Sequence, residues 1–413
     1  MMHSVSPALS RVIADLIQEG VEKEPVREFR PDPFWQNLRS AGTELWLDTG
    51  DIEEAEKIWT PEMTALTTNN TLLNREIQKG IYDDFIKKAN AELKSLPPER
   101  RIVEIAFILN GRHGLRLVKR FGGMASVELH TALSHDQEGI VEYGMRFHEI
   151  SPRGFIVKVP YTAAGLLGAR RLRRENVPVN FTLEFSARQN TLVAMIVKPN
   201  YTNVFLGRLN AFVMENKLGP GDFVGEKATW ASQKIVKELT EKNETPTKLI
   251  AASMRNYSQL ESLAGVDVFT MPTAVATEGR KNLKGAFSDQ SGRTFETQLW
   301  DDVDRKAVRI EKLWETTDDE KKLALAMDRF TPRSENELIE AAYDLHCDDM
   351  FPRLSEEDLR HIAEDGKIPR HSRWAERIAK GELAVDTLMN LAGLASFTAD
   401  QQAMDARIAK LIG

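Results

Sequence analysis

The chain has 413 residues, of which 42% are hydrophobic and 28% are charged. Its 55 basic and 62 acidic residues give a net charge of −7, which argues against nucleic acid or an anionic membrane as the main partner. The one cysteine, Cys347, excludes an internal disulfide framework and favours a reducing compartment.

Targeting and metal-binding signals are weak in this sequence. The first twenty residues lack the basic segment and the continuous apolar run of a signal peptide. No window offers the about 18 consecutive apolar residues that a membrane-spanning helix needs. The eight histidines do not show metal-ligand spacing, so no metal is expected. We therefore expect a globular protein of the cytoplasm that associates with neither membrane nor nucleic acid.

Three regions follow one another along the chain. Residues 1–42 are helical in pattern and are broken by Pro25, Pro31 and Pro33, which predicts an N-terminal helical extension. From residue 43, short apolar or β-branched runs alternate with longer amphipathic stretches. The runs predict eight strands, at 44–48, 64–68, 124–129, 155–159, 179–183, 192–197, 248–253 and 266–271.

This alternation predicts the fold class. Strands that alternate with helices pair in parallel through right-handed crossovers. Eight such units predict an α/β fold, a (β/α)8 TIM barrel over residues 43–279, rather than a doubly wound sheet. The first strand also lacks the GxGxxG turn of a Rossmann sheet. Residues 280–413 are charged at first and helical later, which predicts a C-terminal insertion with closing helices.

The most informative single residue is Lys158, within the apolar run FIVKVP. A lysine between Val157 and Val159 on a buried strand breaks the expected pattern. An apolar surrounding disfavours the charged ammonium and favours a neutral, nucleophilic amine. A lysine at the end of a strand could instead extend to solvent or pair with a carboxylate. The local pattern alone leaves both interpretations open.

Polar residues at other strand ends favour the first interpretation, because the C-terminal ends of barrel strands form the active site. These residues are Asp48, Asn69, Glu128, Asn180, Thr182, Ser253 and Arg255. A lysine that meets carboxylates, amides and hydroxyls at one mouth indicates a site for a carbonyl substrate. The lysine would form an imine with a ketose, and the carboxylates and Thr182 would transfer protons.

Seven segments within about residues 43–276 carry these polar residues and their neighbours. The segments are LDTGDIEEAEK with Asp48, TTNNTLLNREI with Asn69, SVELHTALSHD with Glu128, FIVKVPYTAAGLLGARRL with Lys158, VPVNFTLEFSARQ with Asn180 and Thr182, FLGRL with Arg208, and AASMRN with Ser253 and Arg255. They resemble the motifs of the transaldolase family, whose members are (β/α)8 enzymes of the class I Schiff-base aldolase superfamily.

The resemblance implies a transaldolase of the pentose phosphate pathway. It would transfer a dihydroxyacetone unit from sedoheptulose 7-phosphate or fructose 6-phosphate to an aldose phosphate, without a cofactor. Lys158 would form the imine, and Asp48 would act as acid and base at the C4 hydroxyl. Glu128 and Thr182 would hold the water that shuttles protons while the imine forms.

The resemblance also implies the substrate contacts. Asn69 and Asn180 would bind hydroxyls of the dihydroxyacetone unit. Arg208 and Arg255 would bind the phosphate at the far end of the sugar through charge-assisted hydrogen bonds, and Ser253 lies beside Arg255 in the same motif.

Two places depart from the family motifs, and a third position distinguishes two branches of the family. The family signature TTNPSL has a proline where this chain has Asn70. Upstream of FLGR the family has a serine followed by proline, so either Asn203 replaces that serine or a short insertion shifts the alignment to Lys198 and Pro199. Phe205 takes the aromatic position of this motif. The related fructose-6-phosphate aldolase branch has a tyrosine there, so Phe205 favours transfer over plain aldol cleavage.

Two other functions remain open from the sequence. One is a Schiff-base aldolase, or a transferase for a non-standard ketose, which the altered segment around Asn203 motivates. The other is a barrel that binds sugar phosphates without catalysis, against which the presence of Lys158 and Glu128 argues. The sequence is compatible with a monomer or a homodimer and does not specify the donor and acceptor sugars.

Overall fold

The computed structural model describes residues 5–243, 245 and 247–413. Within these residues, eight parallel strands form one closed barrel in chain order, in which the last strand pairs with the first. The strands are β1 (Glu44–Asp48), β2 (Met63–Thr67), β3 (Met124–Glu128), β4 (Phe155–Pro160), β5 (Val179–Thr182), β6 (Tyr201–Phe205), β7 (Lys248–Ala252) and β8 (Val268–Pro272). The predicted (β/α)8 barrel is therefore confirmed.

Helices surround the barrel and extend it at both ends. Two precede it, α1 (Pro7–Gln18) and α2 (Pro33–Ser40). The barrel helices are α3 (Ile52–Glu56), α4 (Asn70–Gln78), α5 (Asp83–Glu92), α6 (Pro98–Phe121), α7 (Gln137–Ile150), α8 (Ala163–Arg174), α9 (Ala187–Ile196), α10 (Leu206–Glu215), α11 (Val224–Asn243), α12 (Gln259–Ser262) and α13 (Thr273–Asn282). Six follow, α14 (Arg305–Val308), α15 (Asp318–Arg329), α16 (Glu335–Asp344), α17 (Glu356–Asp365), α18 (His371–Lys380) and α19 (Val385–Ile412). Nowhere in the described ranges is a helix long and apolar enough to cross a lipid bilayer.

The division of the chain into three parts stays a prediction. The last barrel helix, α13, runs to Asn282 and so continues just beyond the expected boundary at residue 279.

The prediction of a strand at 192–197 is wrong. These residues end α9, and the sixth strand is β6, at Tyr201–Phe205. The run LVAMIV is buried throughout, because α9 packs between the barrel and α15. A continuous apolar run shows neither the helical nor the strand period, so it does not distinguish the two structures. The structure consequently places Asn203 on β6 and Lys198 in the connection that precedes it.

The pairing of β3, β4 and β5 sets the position of three polar side chains along the barrel axis. Glu128 on β3 pairs with Lys158 on β4, and Lys158 pairs with Asn180 on β5. All six residues of β4 are buried, as expected for a parallel strand covered by helices on one face and by the barrel interior on the other. The three side chains therefore lie in one layer of the barrel, level with Glu128 at the C-terminal end of β3.

The opposite end of the barrel is filled. The rings of Trp46 and Tyr201 lie 4.5 Å apart in an edge-to-face arrangement. Glu44 accepts hydrogen bonds from Trp46 Nε1 at 2.8 Å and Thr64 Oγ1 at 2.7 Å, and it pairs with Lys248 at 2.8 Å. This packing leaves the other end of the barrel for an open cavity.

The final helix, α19, covers that other end. Its 28 residues contact α4, α5 and α6. Asn390 Nδ2 donates to the carbonyl oxygens of Tyr161 at 3.1 Å and Leu183 at 2.9 Å, just beyond β4 and β5. Helices α15 and α16 pack on the outside, against α9 and α8. The C-terminal region thus holds α19 across the mouth where the strands end.

Candidate active site

A cavity of about 630 Å³ lies at the mouth of the barrel beneath α19. Eight of the residues predicted for the site line it, namely Asp48, Asn69, Lys158, Asn203, Phe205, Arg208, Ser253 and Arg255. The other three, Glu128, Asn180 and Thr182, are buried but do not line this cavity. Residues from widely separated parts of the sequence therefore converge on one concave surface.

Lys158 is buried against a carboxylate. Its side chain is 3% exposed, and its Nζ lies 3.4 Å from Oε1 of Glu128. The other carboxylate oxygen of Glu128 accepts a hydrogen bond of 2.8 Å from the backbone N–H of Asn70. The ring of Phe397 lies over the lysine, 5.4 Å from Nζ to the ring centroid. A buried charge needs such a partner, so the two ionisable groups stabilise each other.

Two carboxyl groups near Lys158 have raised pKa values. Burial is the main cause for both Asp48 and Glu128, because it disfavours the ionised form. The positive charges of Lys158, Arg255 and Arg208 partly offset this effect at Asp48, and Lys158 does so most strongly at Glu128. A carboxyl group whose pKa is raised towards neutrality is suited to proton transfer.

A hydrogen-bond network fixes the amides beside the lysine. Asn180 Nδ2 donates to Ser126 Oγ at 2.9 Å, and Asn180 Oδ1 accepts from Asn203 Nδ2 at 2.7 Å. The hydroxyl of Thr182 is buried and has no hydrogen-bond partner in the part of the chain that the structure describes. Asn203 thus orients Asn180, while the Thr182 hydroxyl remains available to another group.

Helix caps hold two of the strand ends in place. Asn69 precedes α4, and its Oδ1 accepts from the N–H of Leu72 at 2.8 Å. Thr162 precedes α8 and accepts from the N–H of Gly165 at 2.8 Å. These side chains satisfy N–H groups that the first helical turn leaves free. The chain after β2 and after β4 is therefore held at the mouth.

Arg208, in the first turn of α10, is a buried cation that pairs with no carboxylate among the described residues. It is 7% exposed, and within the described residues neither its Nε nor its Nη1 makes a hydrogen bond. Burial and the nearby charge of Arg255 lower the pKa of Arg208 to about 10. The rings of Phe205 and Phe397 each have their centroid 5.4 Å from the Arg208 Cζ. Unpaired guanidinium donors of this kind suit a phosphate group.

A close approach between α10 and the end of β7 gathers these donors. A Cβ at Gly207 would lie 2.1 Å from the carbonyl oxygen of Ser253 and 2.6 Å from Cγ of Arg255, so only glycine fits there. Ser253 has a φ of 61°, in the left-handed region that non-glycine residues rarely adopt. Its Oγ is buried and unpartnered among the described residues. Ser253, Arg255 and Arg208 thus form one group of donors at one end of the cavity.

Sequence reasoning missed several lining residues from the C-terminal region. Phe397 and Asp400 reach the cavity from α19, and Lys367 reaches it from the connection between α17 and α18. Asp400 accepts a hydrogen bond from the Thr71 hydroxyl, which joins α19 to α4. The available signal was the spacing of three residues between Phe397 and Asp400, which puts both on one face of the last helix.

Comparison with known proteins agrees with this geometry. A family model described as transaldolase/fructose-6-phosphate aldolase matches residues 45–343. The chain belongs to this family. A probable transaldolase of Thermus thermophilus is 32% identical over 239 residues, which are 56% of this chain and 88% of the relative. A transaldolase of Xanthomonas euvesicatoria is 24% identical over 237 residues, 54% of this chain and 71% of the relative.

A third relative, a transaldolase of Thermosynechococcus vestitus, is 28% identical over 247 residues, 56% of this chain and 61% of the relative. The family match covers all eight strands of the barrel apart from Glu44, the first residue of β1, and continues through most of α16. It ends before α17, so Lys367 and Phe397 lie outside it. The chain is thus an enzyme of the transaldolase/fructose-6-phosphate aldolase family with a C-terminal contribution to its cavity.

Proposed function

We propose that this protein is a transaldolase that uses a lysine imine to move a dihydroxyacetone unit from a ketose phosphate to an aldose phosphate. One observation carries the proposal. The buried Lys158, paired with Glu128, shares a cavity with the unpaired donors of Arg208, and a single ring, that of Phe397, contacts both cations. A phosphorylated ketose would place its carbonyl at the lysine and its phosphate at the arginine.

The proposed first half-reaction is cleavage of the donor. Lys158 first passes its ammonium proton to Glu128, and the neutral amine attacks C2 of the ketose. Glu128 returns this proton to the hydroxyl of the carbinolamine, which leaves as water and gives a cationic imine. The C3–C4 bond then breaks, its electrons enter the imine to form an enamine, and the C4 hydroxyl proton passes to Asp48. The aldose phosphate leaves. The raised pKa values of Asp48 and Glu128 support their assignment as proton carriers.

The proposed second half-reaction reverses these steps with a new aldehyde. C3 of the enamine attacks the acceptor carbonyl, Asp48 returns its proton to the new hydroxyl, and water releases the ketose from Lys158. Glu128 and Thr182 would hold that water, and Asn69, Asn180 and Asn203 would bind hydroxyls. With sedoheptulose 7-phosphate and fructose 6-phosphate as ketoses, this exchange is a reaction of the pentose phosphate pathway.

An acceptor assay tests the proposed function. We expect fructose 6-phosphate and erythrose 4-phosphate to give sedoheptulose 7-phosphate and glyceraldehyde 3-phosphate. Fructose 6-phosphate alone should release little dihydroxyacetone. Steady release of dihydroxyacetone without acceptor would instead identify a fructose-6-phosphate aldolase, the other activity in the name of the family. Binding without any turnover would identify a non-catalytic barrel.

Replacing Asp48 by asparagine should slow cleavage and change the pH profile. The Asp48 carboxylate takes up a proton as the pH falls through its raised pKa. On acidification, wild-type activity should therefore begin to fall at a pH above the ordinary aspartate pKa of about 3.9. We expect Asp48→Asn to lower kcat by about 10²- to 10⁴-fold and to remove this part of the acid limb. The measurement is kcat from acid to neutral pH.

Asp51 supplies a matched control. Its carboxylate lines the same cavity but pairs with Lys79 Nζ at 2.7 Å and caps α3. Asparagine caps a helix as well as aspartate does, so Asp51→Asn should keep both the rate and the acid limb. An Asp48→Asn enzyme with wild-type kcat would show that another group carries the proton.

Replacing Arg208 by methionine should affect phosphorylated substrates selectively. Charge-assisted hydrogen bonds contribute about 1.5–3 kcal/mol, so kcat/KM for fructose 6-phosphate should fall about 10- to 100-fold. The rate with unphosphorylated fructose should change little, because Arg208 would meet only the phosphate. Steady-state kinetics with both sugars measure the ratio.

Arg280 provides the control for this pair of assays. It is exposed and pairs with Asp32 at 2.6 Å, away from the cavity. We expect Arg280→Met to keep the preference for the phosphorylated sugar. Equal losses with both sugars in Arg208→Met would contradict a phosphate contact and would indicate a general change in the site.

A further inference from the structure

Asn70 makes two hydrogen bonds to the segment around Glu128. It is the first residue of α4 and is 1% exposed. Its backbone N–H donates to Glu128 Oε2 at 2.8 Å, and its Nδ2 donates to the carbonyl oxygen of Leu129 at 3.4 Å. Only the first of these bonds reaches a group that the proposed reaction uses. It is also the bond that the proline of the TTNPSL signature could not make.

We propose that the backbone N–H of Asn70 is a positioning group, which orients the Glu128 carboxylate towards Lys158. The inference rests on the proposed function, in which Glu128 carries a proton during imine formation. With Oε2 held by Asn70, the other oxygen is the one that lies 3.4 Å from Lys158 Nζ. A main-chain group would then support the reaction together with the side chains of Lys158 and Glu128.

The charges around Glu128 come from several elements. Lys158 on β4 and Arg208 on α10 favour the ionised carboxylate, while Asp48 on β1 interacts with it as a like charge. His130, which pairs with Asp405 on α19 at 3.1 Å, lines a small cavity that Glu128 also lines. Burial raises the pKa of Glu128, and after Lys158 the Asn70 N–H is the next group that lowers it. Removal of this N–H should therefore raise that pKa further.

Position 70 allows the N–H to be removed with little change in the fold. Proline is well tolerated at the first position of a helix, where the N–H has no partner within the helix. The residue before a proline must be extended, and Asn69 already is, with φ −152° and ψ 170°. The first helical bond, from the N–H of Leu73 to the carbonyl oxygen of Asn69, does not involve the N–H of residue 70.

The experiment compares Asn70→Pro with Asn70→Ala. Both lose the side-chain bond to Leu129, but only Asn70→Pro loses the N–H. We expect the acid limb of kcat/KM for Asn70→Pro to lie about one to two pH units higher than that of Asn70→Ala. This is the pKa change that corresponds to the loss of a hydrogen bond to a charged group. On the acid side of the limb this shift is a loss of about 10- to 100-fold. In a Glu128→Ala background the difference should vanish.

Each outcome has a defined meaning. Identical pH profiles for the two variants, with an active wild type, would overturn the inference and leave the proposed function intact. An inactive wild type would count against the proposed function itself. If Asn70→Pro fails to fold, an amide-to-ester replacement at residue 70, which removes the same N–H, must give the same shift. An unchanged profile in the ester variant would overturn the inference.

Discussion

The Lys158→Met variant is expected to lose the transfer reaction. The proposed mechanism stores the electrons of the C3–C4 bond in an imine at this nitrogen, and methionine cannot form one. We expect kcat to fall by about 10⁴- to 10⁶-fold, the size of effect that follows removal of a covalent nucleophile. Methionine retains an unbranched, apolar chain for this buried position, and burial raises the pKa of Glu128, which disfavours an uncompensated charge at that carboxyl group. The fold should therefore persist.

The measurement is turnover of fructose 6-phosphate with erythrose 4-phosphate, together with direct binding of fructose 6-phosphate. Binding should survive in Lys158→Met, because Arg208 and Arg255 remain. Lys248→Met is the control, since Lys248 is half-exposed and pairs with Glu44 at the filled end of the barrel. Substantial transfer by Lys158→Met would contradict an imine at this residue.

The Arg188→Met variant is expected to be strongly destabilised. Arg188 is fully buried and joins three parts of the chain. Its Nε and Nη2 each lie 2.7 Å from Asp386 at the start of α19. Its Nη1 lies 2.7 Å from Asp349 and 3.0 Å from Glu320. Although burial opposes it, the charges of Arg188 and neighbouring cations lower the pKa of Glu320 to about 2.

Loss of the guanidinium would leave these carboxylates buried with too little compensating charge. Removal of one partner from a buried ion pair costs about 3–5 kcal/mol. In a chain of this length that corresponds to a fall in Tm of about 4–6 °C. Because Asp386 begins α19, we also expect faster proteolysis within the C-terminal region.

Arg360→Met is the matched control for Arg188. This arginine lies on α17, in the C-terminal region whose carboxylates Arg188 contacts, is 64% exposed, and pairs with Glu357 at 3.5 Å. Its replacement should change the free energy of unfolding by no more than about 0.5 kcal/mol. Thermal unfolding of both variants makes the comparison. An Arg188→Met protein as stable as Arg360→Met would show that the buried cluster does not hold α19.

The barrel could be predicted because its strands and helices alternate in the sequence. Polar residues at several strand ends, such as Asp48 and Lys158, marked the mouth because they break an otherwise apolar pattern. The prediction failed at 192–197, where α9 is buried on all sides and shows no amphipathic period. The sequence around Asn203 could then be placed on β6 only from the structure.

Contacts between distant segments could not be predicted. Phe397 reaches Lys158 because α19 crosses the barrel, and nothing in the local sequence of that helix states where it docks. The contacts of Arg188 span 132 to 198 residues along the chain. The bond from Asn70 to Glu128 depends on how the start of α4 lies against the end of β3, over a separation of 58 residues. A local sequence pattern contains no information about contacts between residues so far apart in the chain.

Borohydride trapping tests the imine most directly. The enzyme is incubated with fructose 6-phosphate, reduced with borohydride, and examined by intact and peptide mass spectrometry. We predict a reduced three-carbon adduct on the peptide that contains Lys158, and no adduct on Lys158→Met. An adduct on another lysine of the cavity, such as Lys79 or Lys367, or no adduct with an enzyme that turns over, would contradict the mechanism.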